Sequence, residues 1–201
     1  MLVFPPSPIR NPHVNAVAAK QIFATEDIER VRRAVSDKSW QPGMAGALGA
    51  ATANFVNQPI VRQMMQQPVK VNKEGFPLNR IVTEICSLNS IAWQFKLCGI
   101  VDEDMPWIMR YRHGGDHYDW HVDIGHEVNG SRKLGFTLQL SASSDYDGGD
   151  LEFLNASYDR EALRQPGTIA VFPAYFAHRV TPVSRGERLA LVGWMHGDSY
   201  T

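Results

Sequence analysis

Leu134, Phe136, Leu138 and Leu140 alternate with Gly135, Thr137 and Gln139, so a strand through this stretch has one apolar face and one small or polar face. We read the polar face as lining a cavity. Comparable short segments recur from residue 91 to residue 196: IAWQFKL, WIMRYR, YDWHVD, RKLGFTLQL, GDLEFL, GTIAVF, AHRVTP and ERLALVGWM. Turn signals separate them, at Gly114-Gly115, Asn129-Gly130, Asp147-Gly148-Gly149, Pro166-Gly167, and Arg185-Gly186 before the last strand. In the first segment the alternation of Ile91, Trp93, Phe95 and Leu97 predicts a half-buried strand. Eight short strands at this spacing predict a double-sheet jelly roll, a double-stranded β-helix of cupin-like form.

Upstream the period changes. Ile28, Val31 and Val35 recur at helical spacing, with Thr25 as N-cap and Glu26 and Asp27 in the first turn where the helix dipole favours acids; this helix should end near Asp37. Ile81, Ile85 and Leu88 share a helical face in NRIVTEICSLN, and the two helices would cover one outer face of the β-structure. Between them SWQPGMAGALGAATANF has no regular period and reads as a surface loop or a poorly formed strand pair, with a lid over residues 41–60 as the alternative. Pro5, Pro6, Pro8 and Pro12 make the N-terminal stretch extended. The expected organisation is one domain over residues 1–201, mainly β with flanking α-helices: an extended arm (1–20), helical support (21–90) and a jelly-roll core (91–197).

Composition narrows the function classes. A chain of 201 residues can bury a sizeable core without disulfides or structural metals. A formal net charge of −1 and a pI near 6.6 give no general attraction to nucleic acid or membrane surfaces, so neither is expected as a partner. Cys86 and Cys98 form no CxxC pair, which suits a reducing compartment, and both read as core fillers. With no signal-type apolar run and no stretch of transmembrane length, a soluble, cytoplasmic protein is expected.

Candidate chemistry centres on YRHGGDHYDWHVD. On a strand, His121 and Asp123 point the same way while Val122 turns to the other side, so the two can reach one cation. The candidate third ligand is His178, which lies in VFPAYFAHRV. Two histidines and a carboxylate leave other coordination positions open, the arrangement of non-haem Fe(II) oxygenases. Arg188 has the planar guanidinium that can grip a carboxylate through two parallel hydrogen bonds. Trp194 shares its strand face by counting in twos and stands equally as pocket wall or as core. His113, His117 and His126 read as loop histidines, with His117 or Asp116 as rim contacts for a substrate, and Tyr118, Trp120 and Trp107 as packing.

The ordered set Tyr111-x3-Gly115-x2-Tyr118-x2-His121-x-Asp123, Arg132, Asp147-Gly148-Gly149-x-Leu151-x-Phe153, Val171-Phe172-Pro173, His178-x-Val180, Arg185-Gly186-x-Arg188 and Trp194 resembles the 2-oxoglutarate- and Fe(II)-dependent dioxygenases, in their prolyl 4-hydroxylase-like branch. It covers roughly residues 80–197. The Tyr111 to His121 spacing is similar to that of oxygen-sensing prolyl hydroxylases, while the GG-x-L-x-F and RGxR pieces resemble bacterial iron-uptake-associated hydroxylases. The resemblance implies Fe(II) on His121, Asp123 and His178, with 2-oxoglutarate and O2 as co-substrates and ascorbate as an optional reductant. It implies the distal carboxylate of 2-oxoglutarate on Arg188, with Tyr111, Thr137, Gln139 and Trp194 as further co-substrate contacts. In this branch a tyrosine commonly occupies the position of Gln139. The implied reaction is oxidative decarboxylation of 2-oxoglutarate coupled to C–H hydroxylation, foremost of a prolyl residue in a peptide or protein. A free amino acid or other small metabolite is the alternative substrate. Nucleobase demethylation and a non-catalytic jelly-roll module are disfavoured. The oligomeric state is left open.

Overall fold

The computed structural model describes residues 14–43, 45–46, 55–56 and 61–199. In chain order the elements are β1 (Ala18–Gln21), α1 (Thr25–Arg33), β2 (Gln41–Pro42), β3 (Ala45–Gly46), β4 (Phe55–Val56), β5 (Arg62–Gln63), β6 (Met65–Pro68), α2 (Leu78–Ala92), β7 (Leu97–Gly99), β8 (Trp107–Arg112), β9 (His117–His121), β10 (Arg132–Gln139), β11 (Tyr146–Gly148), β12 (Leu151–Phe153), α3 (Arg160–Arg164), β13 (Thr168–Pro173), β14 (His178–Val180) and β15 (Val183–Gly197). Two antiparallel sheets face each other as a jelly roll. The major sheet runs β1-β13-β10-β15-β8-β6-β2, with β7 and β11 also paired to β15, and the minor sheet runs β12-β14-β9-β5.

The alternation along residues 134–140 sets the layers. Leu134, Phe136, Leu138 and Leu140 join Ile169, Val171, Leu189 and Leu191 on the outer face of the major sheet, and α1 (Ile28, Val31) and α2 (Ile81, Ile85) close over them. Fully burying one such side chain stabilises by about 1.5–3 kcal/mol, so this face anchors the helices. The inner face, with Met109, Tyr111, Ala170, Phe172 and Val183, meets Phe153 and Val180 of the minor sheet, and the functional side chains sit in this inner layer.

Several local expectations are corrected. IAWQFKL is not a strand: α2 runs on through Ala92, Ile91 is 79% exposed, and only Leu97–Gly99 is extended. The cause is local. The Asn89 side chain accepts from the Phe95 N–H (3.0 Å) and donates to the Phe95 carbonyl (2.8 Å), Gln94 reverses the chain at φ 55°, and Trp93 is buried with its indole N–H on the Val14 carbonyl (3.0 Å). Helix α1 ends at Arg33, short of Asp37, and its cap residue is Ala24, whose N–H donates to Asp27 Oδ2 (3.2 Å). Cys86 and Cys98 are exposed, because α2 turns Cys86 away from the core and Cys98 lies on the short β7. Trp120 is exposed as well, with Arg179 stacked over it. The Arg185-Gly186 turn is absorbed into β15, which stays continuous because Gly186 takes φ 71° where any Cβ would strike the Asp145 carbonyl. Helix α3, for which the sequence carries no helical period, is capped by the Asp159 side chain and clamps the Gly148-Gly149 turn: Arg164 binds the Gly148 carbonyl, and Arg160 and Arg164 both bind Asp150. Most of residues 1–15 and 41–60 lies outside the described residues; within the latter, β3 and β4 pair.

Candidate metal centre and co-substrate pocket

Strands β9 and β14 place His121 and His178 opposite each other, with ring centroids 4.2 Å apart. Each ring is held in the same way, by its own chain two residues back: His121 Nδ1 donates to the Asp119 carbonyl (2.8 Å) and His178 Nδ1 to the Phe176 carbonyl (2.9 Å). A carbonyl only accepts, so the proton sits on Nδ1 and both Nε2 lone pairs are left for a ligand. They point at Asp123. His121 Nε2 is 3.7 Å from Asp123 Oδ1 and His178 Nε2 is 3.6 Å from Asp123 Oδ2; the three ligating atoms lie within 4.8 Å of one another. Tyr118 stacks on His121 at 3.6 Å, and Phe172 and Phe153 flank His178.

Strand alternation does not explain Asp123. Strand β9 ends at His121, and Asp123 lies in a bend, tied by its N–H to the Ala174 carbonyl (2.9 Å) and by its carbonyl to Arg132 Nη1 (3.1 Å). Gly135 gives the carboxylate room, since a Cβ there would stand 2.8 Å from Asp123 Oδ2. Burial, with smaller contributions from His178 and Arg62, pushes His121 down to about 3, so it is neutral at physiological pH. Burial alone would raise the Asp123 carboxyl, but His178, His121, Arg132 and the nearby Trp194 indole hold it below the usual carboxylate range. The Trp194 N–H is buried and outside strict hydrogen-bond geometry, so its effect is that of an oriented dipole. Two imidazole Nε2 atoms and one carboxylate, converging within 4.8 Å, suit a divalent cation that needs open positions, and the donor set fits Fe(II).

A second centre lies farther along the inner face. Arg188 is 2% exposed, and its only hydrogen bond among the described residues runs from Nε to Gln139 Oε1 (3.1 Å). Gln139 is fixed in turn, its amide donating to the Ser141 carbonyl (2.9 Å) and Tyr146 Oη (3.1 Å). Tyr111 is the register partner of Arg188 and lies with its ring 5.6 Å from the guanidinium. Burial raises the Tyr111 phenol against the pull of Arg62 and Arg188, so it remains protonated. Thr137 is buried on the same side of β10 as Gln139. Trp194 shares this face but belongs to the metal end, where the Arg132 guanidinium stacks on it at 3.5 Å.

Asp116, read above as a rim contact, is buried as a brace for the Gly114-Gly115 turn: it accepts from the Arg112 N–H (2.9 Å) and from Gln63 Nε2 (3.2 Å). His117 Nδ1 contacts the Gly115 carbonyl (2.8 Å). Two residues of the site carried no sequence signal. Tyr146 reaches it through a pairing of β11 with β15, and Arg62 stacks over Tyr118 at 4.5 Å and donates to Gln66 Oε1 (3.2 Å).

Comparison with known proteins places this geometry. The family model described as the 2OG-Fe(II) oxygenase superfamily matches residues 106–196. A PKHD-type hydroxylase of Synechococcus sp. (strain CC9902) is 44% identical over 81 residues, 40% of this chain. That match spans only 36% of the relative's own length, well under two thirds. The PKHD-type hydroxylase P9301_13621 of Prochlorococcus marinus (strain MIT 9301) is 35% identical over 181 residues, covering 87% of this chain and 75% of the relative. Among solved structures, a Pseudomonas putida prolyl-4-hydroxylase aligns with a TM-score of 0.67 at 18% identity, over 91% of this chain and 94% of that one. A Trichoplax adhaerens prolyl hydroxylase in complex with a hypoxia inducible factor peptide fragment aligns with a TM-score of 0.65 at 15% identity, over 90% and 84%. These two likenesses establish the fold. Taken with the Prochlorococcus relative, the matched superfamily model shows that the chain belongs to the 2OG-Fe(II) oxygenases, among the PKHD-type hydroxylases.

Proposed function

We propose that this protein couples oxidative decarboxylation of 2-oxoglutarate to hydroxylation of a C–H bond, and that the C–H bond belongs to a prolyl residue of a peptide or protein. One observation carries the reading: His121, Asp123 and His178 converge within 4.8 Å on the same inner layer as a buried arginine whose terminal amino groups make no hydrogen bond among the described residues. When bound, Fe(II) supplies the activation of O2 that the side chains cannot. The chain supplies the rest. His121 and His178 are held by their Nδ1 contacts with free Nε2 lone pairs, and Asp123 adds the charge. Arg188 binds the distal carboxylate of 2-oxoglutarate in two-pronged fashion, aimed by Gln139, while the Tyr111 phenol donates nearby. Phe153, Phe172 and Tyr118 keep water from the metal side.

Prolyl and peptide chemistry is supported by what the two solved neighbours are named for. A free amino acid or other anionic metabolite is the second reading, supported by Arg62, a largely buried cation close enough to depress His121. The test is incubation with Fe(II), 2-oxoglutarate, O2, and panels of proline-containing peptides and free amino acids, following succinate release and addition of one oxygen atom by mass spectrometry. An oxygenated peptide, with turnover abolished in His178→Ala, is the expected result. Oxygenation of free amino acids alone would transfer the assignment to the second reading, and wild-type protein without succinate release would overturn both.

A further inference from the structure

Asp123 is the one ligand that no strand holds. Its backbone sits in a bend two residues past β9, yet its carboxylate must meet two histidines held in the minor sheet. Arg132 spans this gap. Its Nη1 donates to the Asp123 carbonyl (3.1 Å), while Nε and Nη2 form a two-pronged pair with Asp104 Oδ2 (2.7 Å) and Oδ1 (2.8 Å). The same guanidinium lies 3.5 Å over the Trp194 ring. Asp104 comes from the turn Asp102–Asp104, distant in sequence, and is itself buried. Behind it stands the fully buried His196, with Nε2 at 3.1 Å from Asp104 Oδ2, though off hydrogen-bond alignment, and Nδ1 at 2.9 Å from Ser131 Oγ.

We propose that Arg132 is a positioning residue for the metal ligand Asp123, and that the buried Asp104, backed by His196, is what fixes Arg132. The proposal rests on the reading that His121, Asp123 and His178 bind a divalent cation. Long-range electrostatics and positioning make opposite predictions. Arg132 is a cation beside a cation site, so as a mere charge its removal would tighten metal binding. As a brace, its removal frees the bend and weakens binding, by about ten- to a hundredfold, as is usual for groups that orient a ligand.

The experiment is titration of the full chain with Mn2+, without 2-oxoglutarate, by calorimetry and by the electron paramagnetic resonance signal of free Mn2+. Wild type is compared with Arg132→Met, Arg132→Lys, Asp104→Asn and, as a control arginine on the outer face of the minor sheet, Arg179→Met. Melting curves establish that each is folded at the titration temperature. The expected result is weaker Mn2+ binding in Arg132→Met and Asp104→Asn, partial recovery in Arg132→Lys, and no change in Arg179→Met. Arg132→Lys keeps the charge, so on electrostatics alone it would bind as wild type does; its weaker binding carries the test even if Arg132→Met fails to fold, whereas Asp104→Asn, which removes an anion, tests only whether Asp104 matters to the site. Unchanged or tighter binding in the folded Arg132 and Asp104 variants would overturn the proposal while leaving the metal site intact. An equal loss in Arg179→Met would overturn it too, by tracing the effect to general destabilisation. Wild type that binds no Mn2+ would remove the metal reading itself.

Discussion

At the scale of single residues, Gln139 has a role that differs from a direct co-substrate contact. Its Oε1 takes the Arg188 Nε–H, and its Nε2 is spent on the Ser141 carbonyl and Tyr146 Oη. What it supplies is therefore the orientation of the guanidinium, leaving both terminal amino groups for a carboxylate. A hydrogen bond to a charged group contributes about 1.5–3 kcal/mol, so Gln139→Leu should raise the KM for 2-oxoglutarate by roughly ten- to a hundredfold while kcat changes less. Gln139→Glu is the sharper variant, because a carboxylate at this position pairs with Arg188 and competes with the co-substrate's own. Succinate-release kinetics across a 2-oxoglutarate series should rank wild type above Gln139→Leu and Gln139→Leu above Gln139→Glu. A wild-type KM in Gln139→Glu would show that Arg188 does not bind the co-substrate's charge.

Element by element, what was legible in the sequence follows from where the determining contacts lie. Strand β10 carries its own period, and β8 and β13 are short apolar runs bounded by turn signals, so all three are legible directly. The IAWQFKL segment has that period too, yet Asn89 captures the Phe95 backbone and ends α2 in a reversal, a contact that alternation does not encode. His121 is legible in the His-x-Asp spacing and His178 in its place in the ordered set of motifs, and the structure sets both on strands. Strand alternation does not place Asp123, whose position depends on Arg132, Asp104 and Ala174 rather than on β9. Arg62 and Tyr146 reach the site only through sheet pairing, which no local motif announces. Strand β10 is where a single added carbon tests this assembly. An alanine at Gly135 would put Cβ 2.7 Å from the Phe172 ring and 2.8 Å from Asp123 Oδ2, closer than real Cβ contacts allow. Gly135→Ala should therefore cost about 1–3 kcal/mol of stability. It should also reduce the rise in Tm that saturating Mn2+ produces, because the displaced group is a ligand. Calorimetric scans with and without Mn2+ decide it, and a full metal-induced rise in the variant would count against this placement of Asp123.

For the molecule as a whole, assembling the metal site makes the metal-free protein sensitive to acid. His121 is pushed down to about 3 in the folded chain, against about 6.5 for an ordinary histidine in the unfolded one. Between those values the unfolded chain binds a proton that the folded chain refuses, so falling pH favours unfolding by up to about 1.4 kcal/mol per pH unit from this group. Above about pH 7 both states are neutral at His121 and the contribution vanishes. His196, also lowered chiefly by burial, acts in the same direction below its ordinary value, as does Asp123 below the usual carboxylate range. Comparing wild type with His121→Gln isolates the His121 part above the carboxylate range, where Asp123, which His121 helps to hold down, stays ionised in both. With chelator present, unfolding free energies from denaturant titrations between pH 8 and pH 4 should differ by a constant amount above about pH 7. Below about pH 6.5 the wild type should lose stability faster, by as much as one proton's worth of slope, until the variant is the more acid-resistant of the two. A difference that stays constant across the whole range would mean that His121 titrates normally in the folded protein and is not held neutral for a metal.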